Sequence, residues 1–344
     1  MTLLQRTNLP LRIGLIRISS LGDIILITPI IRCLYLQLEK PELVLITHPD
    51  MLSLFEHNPY LHSVIGYARH DSGKSAAEFL GTMPDLIIDL QKNLRSQALT
   101  LGAGVPILSF KKENIKKWML VNAPGFHSKC SHVVSRMLKA LSPLNIADDG
   151  GGVELHLPPG EGSEENKEGA IPGDYVAIGI GSAHETKALS FEFLDRFLAI
   201  QSLPCVLLGG PNDRKKGEAL EKKYPNMVRS MCGQTTLLQT AIMVQNAAHV
   251  VTGDSFIMHL AACFSKPMDV VWANTIPEFG MEPYFGTKRQ FRAIYHQVHE
   301  LACRPCSKTG FGSCPKGHHK CMTQIAAWIV QMPNEQNYPE PITF

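Results

Sequence analysis

The sequence predicts an α/β protein of two Rossmann-like domains, each a parallel sheet covered by crossover helices. Three observations carry this. The chain has 344 residues, too many for one ordinary domain and suited to two of about 150 each. Short apolar segments alternate with polar or amphipathic ones in both halves, as in strands joined by helices. Between the halves, Pro158–Tyr175 (PPGEGSEENKEGAIPGDY) holds three Pro and four Gly and almost no apolar side chain, which reads as a linker. The expected division is therefore 1–157, a linker over 158–172, and 173–344.

In the first half, Ile13–Ile18 is apolar and β-branched and stops at Ser19-Ser20-Leu21-Gly22-Asp23, where a second apolar run begins. This reads as a strand, a tight turn and a helix. Further strands are expected at Leu43–Thr47, Ser63–Tyr67, Asp85–Leu90 and Pro106–Ser109. Residues 132–141 place Val133, Met137 and Leu141 on one helical stripe. The second half repeats the alternation. Strands are expected at Tyr175–Ile180, Cys205–Gly209, His249–Val251 and Met268–Trp272. Helices are expected at Phe191–Ile200, Arg214–Tyr224, Leu237–Gln245 and Ser255–Phe264.

Ligands of open parallel sheets sit beyond the carboxyl ends of the strands, so the turns there hold the candidate site residues. Asp23 stands at a helix start, where outward-pointing amides and the dipole favour a carboxylate; a plain helix cap is the simpler reading. Val250–Pro267 repeats that logic, with Gly253-Asp254-Ser255 opening a helix that carries His259. Amides at such a start can receive a diphosphate, and Ser255 can add a hydroxyl. His259 fits an interior histidine equally well. Ile178–Leu194 begins like a dinucleotide fingerprint, but His184 stands where the third small residue belongs, so it reads as a loop offering Ser182 and Lys187 to a phosphate. After the fourth strand, Arg95 and Lys92 can meet an anionic ligand, or simply form surface ion pairs.

A net charge of +2 gives no bulk case for nucleic acid, although Lys111, Lys112, Lys116 and Lys117 cluster beside Trp118. Neither a secretory signal nor a membrane span is expected, because Arg12, Arg17, Asp23 and Arg32 interrupt the first apolar stretch. A cytoplasmic protein is the expectation. Five of nine cysteines are scattered in apolar sequence and read as reduced core residues. The other four, Cys303, Cys306, Cys314 and Cys321, lie within nineteen residues alongside His318 and His319. That density suits a zinc site, though the spacing is not that of paired Cys-x-x-Cys motifs; packed thiols or a redox pair are the alternatives, and catalysis is not expected to use it.

Arg17, Ser19, Ser20, Gly22, Asp23 and Pro29 together resemble the opening of the heptosyltransferases, glycosyltransferase family 9. Asp254, Ser255, His259 and the Ala-rich helix resemble that family's second signature, with Phe256 where relatives usually have Gly. Leu207–Pro211 and Trp272–Tyr284 add weaker likenesses, with Ala273 a milder departure, and Asp85–Ser96 resembles the family's stretch after the fourth strand. The resemblance implies a GT-B arrangement of the two Rossmann-like domains, with the active site in the cleft between them. It implies an inverting transfer of heptose, or a related sugar, from an ADP-sugar to a lipopolysaccharide core acceptor at the inner membrane surface. Asp23 would be the catalytic base. Ser20, Gly22, Arg95, Ser182, Lys187, Asp254, Ser255 and His259 would bind substrates. No D-x-D sequence occurs, so fixed cations and dipoles would replace the usual metal clamp, and neither cofactor nor metal is expected. The enzyme would act as a monomer, peripheral to the inner membrane. A paralogue that binds without transfer and, more remotely, a nicotinamide-dependent oxidoreductase remain as other readings.

Overall fold

Among the described residues eleven short segments, most of them apolar, become parallel strands that sort into two sheets. The computed structural model describes residues 10–71, 74–81, 84–123, 125–126, 128–158, 173–289 and 293–325. In unit 1, β1 (Arg12–Ile16), β2 (Glu42–Thr47), β3 (Ser63–Gly66), β4 (Leu86–Asp89) and β5 (Ile107–Ser109) pair in the order β3-β2-β1-β4-β5. Helices α1 (Leu21–Ile25), α2 (Thr28–Gln37), α3 (Ala76–Leu80), α4 (Leu94–Thr100) and α6 (Val133–Ala140) cover it, while α5 (Asn114–Asn122) belongs to the other unit. The strands β1, β2 and β4 are apolar on both faces because helices bury both sides of a parallel sheet. Ile16, Val44, Ile46, Ile87 and Leu99 share one core cluster. A Cβ on Gly14 would lie 2.9 Å from the Leu80 side chain, so the glycine lets α3 close on the sheet.

Unit 2 holds β6 (Val176–Gly179), β7 (Cys205–Leu208), β8 (Val228–Ser230), β9 (His249–Gly253), β10 (Met268–Trp272) and β11 (Ala293–Gln297). Their order is β11-β10-β9-β6-β7-β8, with α7 (Phe191–Leu198), α8 (Arg214–Lys223), α9 (Leu237–Asn246), α10 (Phe256–Cys263) and α11 (Lys320–Thr323). Each unit thus starts in mid-sheet, grows to one side, then returns to grow to the other. The reversal falls between β1 and β4 in unit 1 and between β6 and β9 in unit 2. That strand order leaves a crevice at the carboxyl ends of these central pairs.

Three details differ from the sequence expectation. The helix after the first turn is two helices, α1 and α2. Pro29 has no N–H for the carbonyl four residues back, that of Ile25, and its ring crowds it. The Thr28 hydroxyl takes that carbonyl instead, at 2.9 Å. Strands β8 and β11 escape the apolar pattern because each forms an edge of its sheet and is short or half-exposed. Finally, Glu113–His132 clusters with unit 2 and not with the rest of 1–157. Leu120 and Cys130 pack with Ile276 and Phe279, the Cys130 amide donates to Glu278 O at 2.8 Å, and His132 stacks on Tyr284 with ring centroids 4.7 Å apart. The chain passes from unit 1 to unit 2 between Pro158 and Pro159; of the expected linker 158–172, residues 159–172 lie outside the described residues.

A polar knot sits inside the unit 2 sheet. Asp269 on β10 is fully buried and accepts from His249 Nε2 on β9 at 2.6 Å and from His296 Nε2 on β11. Burial alone would push this carboxyl up, but the two imidazole donors hold it below its ordinary value.

Candidate functional site

In unit 1 the turn after β1 is a hydrogen-bonded knot around Asp23. Asp23 is the third residue of α1, and its Oδ2 accepts from the Ser20 amide at 3.3 Å and the Ser20 hydroxyl at 2.9 Å. A carboxylate at that position reaching back to the cap amide is the acidic half of a capping box. Arg17 goes further. Its Nη2 lies 2.6 Å from Asp23 Oδ2, while Nη1 donates to the Leu90 carbonyl just past β4. The Arg17 side chain is 6% exposed and that of Asp23 22%. A buried guanidinium thereby fixes a partly open carboxylate at the strand reversal, tying the ends of β1 and β4 together.

Gln91 adds a second tie. Its Oε1 accepts from the amides of Ile18 and Ser19, each at 3.0 Å. Gly22 is half-exposed in α1 and does not adopt a positive φ, so it is not there for backbone freedom. Arg95 stands in the first turn of α4, half-exposed, with no hydrogen bond or ion pair to the described residues. Lys92, in contrast, is occupied: its Nζ donates to Phe110 O at 3.0 Å. Of the two cations after β4, Arg95 is the one available to an anion.

In unit 2 the loop after β6 and the turn after β9 meet. Lys187 Nζ lies 2.8 Å from Asp254 Oδ2, with side chains 18% and 14% exposed, and the Thr275 hydroxyl donates to the same oxygen at 2.8 Å. Sequence separates these three residues by up to 88 positions; the strand reversal brings them to one point. Backbone packing sets this approach. A Cβ on Gly253 would stand 2.6 Å from the Lys187 carbonyl oxygen, and a Cβ on Gly181 would stand 2.0 Å from Asp213 Oδ2. Lys216 braces the loop at both ends, donating to Ile180 O at 3.2 Å and Leu189 O at 3.0 Å.

Ser255 caps α10 by position only. Its hydroxyl pairs with that of Thr252 at 2.8 Å and does not cap the first-turn amides. Amides at a helix start left without such a cap can receive an anion. His259 lies one turn along from Ser255 and is 3% exposed, placing it in the interior of the unit. Phe256 is half-buried at the helix start, and Ser182 is half-exposed in the lysine loop.

The cysteine-rich segment grips this site from outside. Phe311 N donates to Thr186 Oγ1 at 2.8 Å, and Thr186 N donates to Phe311 O at 3.1 Å, beside Lys187. Arg304 donates to Ala273 O at 2.5 Å, to Thr275 O at 2.8 Å and to Gln297 Oε1 at 2.8 Å. Burial pushes this guanidinium down to about 10. One segment thus holds both Lys187 and Thr275 in register.

Cys303, Cys306, Cys314 and Cys321 lie close enough for their charges to interact, and burial together with the neighbouring thiols pushes Cys306 and Cys321 up. Among the described residues, the group of three whose ligand atoms lie within 4.8 Å of one another is Cys33, Asp148 and Asp149, where Asp149 is already paired with Arg32 at 2.6 Å. Cys303 Sγ approaches His318 Nε2 only to 3.9 Å. Burial would push the Cys314 thiol up, yet the amides of His319, Lys316, His318 and Gly317 hold it below the ordinary value.

Sequence reasoning named Asp23, Lys187 and Asp254 but missed their partners Thr275, Arg304 and Thr186. Of these, Thr275 lies inside the segment Trp272–Tyr284 and Thr186 inside Ile178–Leu194, while Arg304 carried no signal. Arg17 was quoted as motif without its role. The structure places Ser20 against Asp23 and Ser255 beside Asp254, and leaves Arg95 and Ser182 with no partner that identifies a task.

Comparison with known proteins gives the family and the fold. The family described as Glycosyltransferase family 9 (heptosyltransferase) matches residues 77–308. The lipooligosaccharide heptosyltransferase 2 of Haemophilus influenzae is 28% identical over 123 residues, which is 33% of this chain and 36% of that protein. The lipopolysaccharide heptosyltransferase 2 of Escherichia coli is 24% identical over 184 residues, 50% of this chain and 49% of that one. The matches thus span between about a third and a half of the length of these curated relatives. Among solved structures, the E. coli ADP-heptose lipopolysaccharide heptosyltransferase II shares the fold with a TM-score of 0.68 at 17% identity, covering 93% of this chain and 96% of that one.

Proposed function

The chain belongs to glycosyltransferase family 9, and from that premise we propose that it transfers a heptose, or a closely related sugar, from an ADP-sugar to the inner core of lipopolysaccharide with inversion. The observation that carries this reading is the Lys187–Asp254–Thr275 cluster at the strand reversal of unit 2, beside a helix start without a side-chain cap. A diphosphate is the ligand that uses every part of it. Its charge is met by Lys187 and by the α10 amides, its remaining oxygens by the hydroxyls of Ser182 and Ser255, and the sugar hydroxyls by Asp254. His259 supports the helix from within.

Unit 1 supplies the other half of the chemistry. Asp23 takes the proton from the acceptor hydroxyl as its oxygen attacks the anomeric carbon, and the diphosphate leaves from the opposite face. One base is enough for inversion, because no covalent intermediate forms. Arg17 and Ser20 act by orienting that carboxylate, and Gly22 keeps the turn free of a side chain where the acceptor approaches. Arg95 meets a phosphate on the acceptor, a role for which a planar bidentate donor is suited. With no D-x-D sequence, the leaving charge is stabilised by fixed cations and amide dipoles.

The test is transfer itself. A panel of ADP- and UDP-sugars is incubated with lipopolysaccharide core acceptors, following nucleoside diphosphate release and the anomeric configuration of the product. Inverted product from an ADP-sugar is expected. Retained configuration, or transfer from UDP-sugars alone, would overturn the proposal. Size-exclusion chromatography checks the accompanying expectation that the enzyme acts as a monomer.

A further inference from the structure

We propose that Cys303 and Cys306 form a redox modification site, a thiol pair that closes into a disulfide under peroxide and loosens the Lys187–Asp254–Thr275 cluster. The pair stands in Cys303-Arg304-Pro305-Cys306, with the two-residue spacing of redox-active thiols. Both thiols are half-buried. Both line one cavity of about 850 Å³ in unit 2, together with Arg304, Phe311 and Lys316, which is ample for a molecule the size of peroxide.

The other thiols are less suited. Cys314 Sγ is turned to its own loop, where it accepts from the His319 amide at 3.4 Å. Cys321 and the five scattered cysteines are buried. Cys303 has a base at hand, with His318 Nε2 3.9 Å from its sulfur. The reaction is a two-electron oxidation. His318 takes the Cys303 proton, and the thiolate attacks one peroxide oxygen. The O–O bond breaks, and the departing hydroxide regains that proton as water. The Cys306 sulfur then attacks the Cys303 sulfenic acid, so an S–S bond forms as the S–O bond breaks. The second hydroxide leaves with the Cys306 proton. Each sulfur has lost one electron, and peroxide has become two waters.

The residue between the thiols gives the modification its consequence. Arg304 donates to the carbonyls of Ala273 and Thr275, and the Thr275 hydroxyl donates to Asp254 Oδ2, the oxygen that faces Lys187. Closure brings the two sulfurs to about 2 Å. With only Arg304 and Pro305 between them, the backbone that carries the guanidinium must turn as they approach. A rigid planar fork aligned on fixed carbonyls loses its geometry when its base turns. The paired hydrogen bonds between Phe311 and Thr186 tie the same segment to the lysine loop, so the movement reaches the cluster from both sides.

The experiment treats the full reduced chain with hydrogen peroxide, blocks the remaining thiols, and maps them by peptide mass spectrometry before and after dithiothreitol. A Cys303–Cys306 peptide lighter by two hydrogens, restored by dithiothreitol, is expected. Amide hydrogen exchange should rise in 182–190 and 272–279 of the oxidised protein. ADP affinity should fall about tenfold, the worth of one charge-assisted hydrogen bond, and recover on reduction. Cys303→Ser and Cys306→Ser should each bind ADP like reduced wild type and keep that affinity under peroxide, while Cys314→Ser should still close the pair. Four results would each overturn the proposal: no disulfide, a disulfide to Cys314 or Cys321, a zinc or iron ion that must be chelated away before the thiols react, or closure with exchange and ADP affinity unchanged. The ADP titration rests on the donor-site reading above, whereas the mass and exchange measurements do not. If reduced wild type binds no ADP, that reading falls, and the exchange result still decides whether closure loosens the cluster.

Discussion

Replacing Lys187 with Ala separates a phosphate-binding cation from a surface charge. At 2.8 Å from Asp254 Oδ2, the gross attraction of the pair is about 6 kcal/mol at an effective dielectric of 20. Desolvation and side-chain ordering consume most of this, and a charge-assisted hydrogen bond nets roughly 1.5–3 kcal/mol. Lys187→Ala removes the cation that would meet the diphosphate and also strands Asp254, leaving its negative charge beside the ligand with the Thr275 hydroxyl as its donor among the described residues. Both effects weaken ADP, so a loss of about 10- to 150-fold is expected, the range set by that 1.5–3 kcal/mol. AMP, with one phosphate fewer, should lose less. Adding Asp254→Asn to the Lys187→Ala protein should restore part of the ADP affinity by removing the stranded charge. Isothermal titration calorimetry with ADP and AMP on the four proteins of this cycle measures each term. An ADP affinity unchanged in Lys187→Ala would refute the reasoning, since neither the lost attraction nor the exposed Asp254 charge would then act at the ligand.

Asp23→Asn should lower the transfer rate by about 10²–10⁴-fold with ADP affinity unchanged, and wild-type turnover would leave Asp23 a helix-capping residue only. Arg304→Gln should raise the KM for the donor more than it lowers kcat, because the carbonyls of Ala273 and Thr275 lose their common donor; an unchanged KM in a folded variant would show that the cysteine-rich segment does not position Thr275. Asp269 is held below its ordinary pKa in the fold by two histidines, so its contribution to stability is full above the unfolded carboxyl value and is lost as pH falls through the folded value. Denaturant titrations from pH 6 downward should therefore show wild type losing stability below about pH 4, and Asp269→Asn should be weaker at neutral pH but flatter across that acid window; parallel curves would exclude the knot as the source.

Much of the architecture could be read directly from residue order. Parallel strands buried on both faces read as near-continuous apolar runs, broken only by charges with buried partners such as Arg17 and Asp269, which is why Ile13–Ile18, Cys205–Gly209 and Met268–Trp272 were legible. Turns beyond their carboxyl ends must hold the ligand groups, and this singled out Asp23, Lys187 and Asp254. Edge strands bury less, so Val228–Ser230 and Ala293–Gln297 left no comparable signature. What sequence could not supply was partnership. Arg17 reaching from β1 to the end of β4, Thr275 meeting Asp254, and Arg304 and Phe311 bracing the site from the cysteine-rich segment are contacts between residues far apart in the chain. So is the allegiance of Glu113–His132 to unit 2. Periodicity reports which face of a segment is buried, because burial is a property of each residue's own polarity. It does not report against what, because that depends on which strand reversal brings two distant loops to the same point.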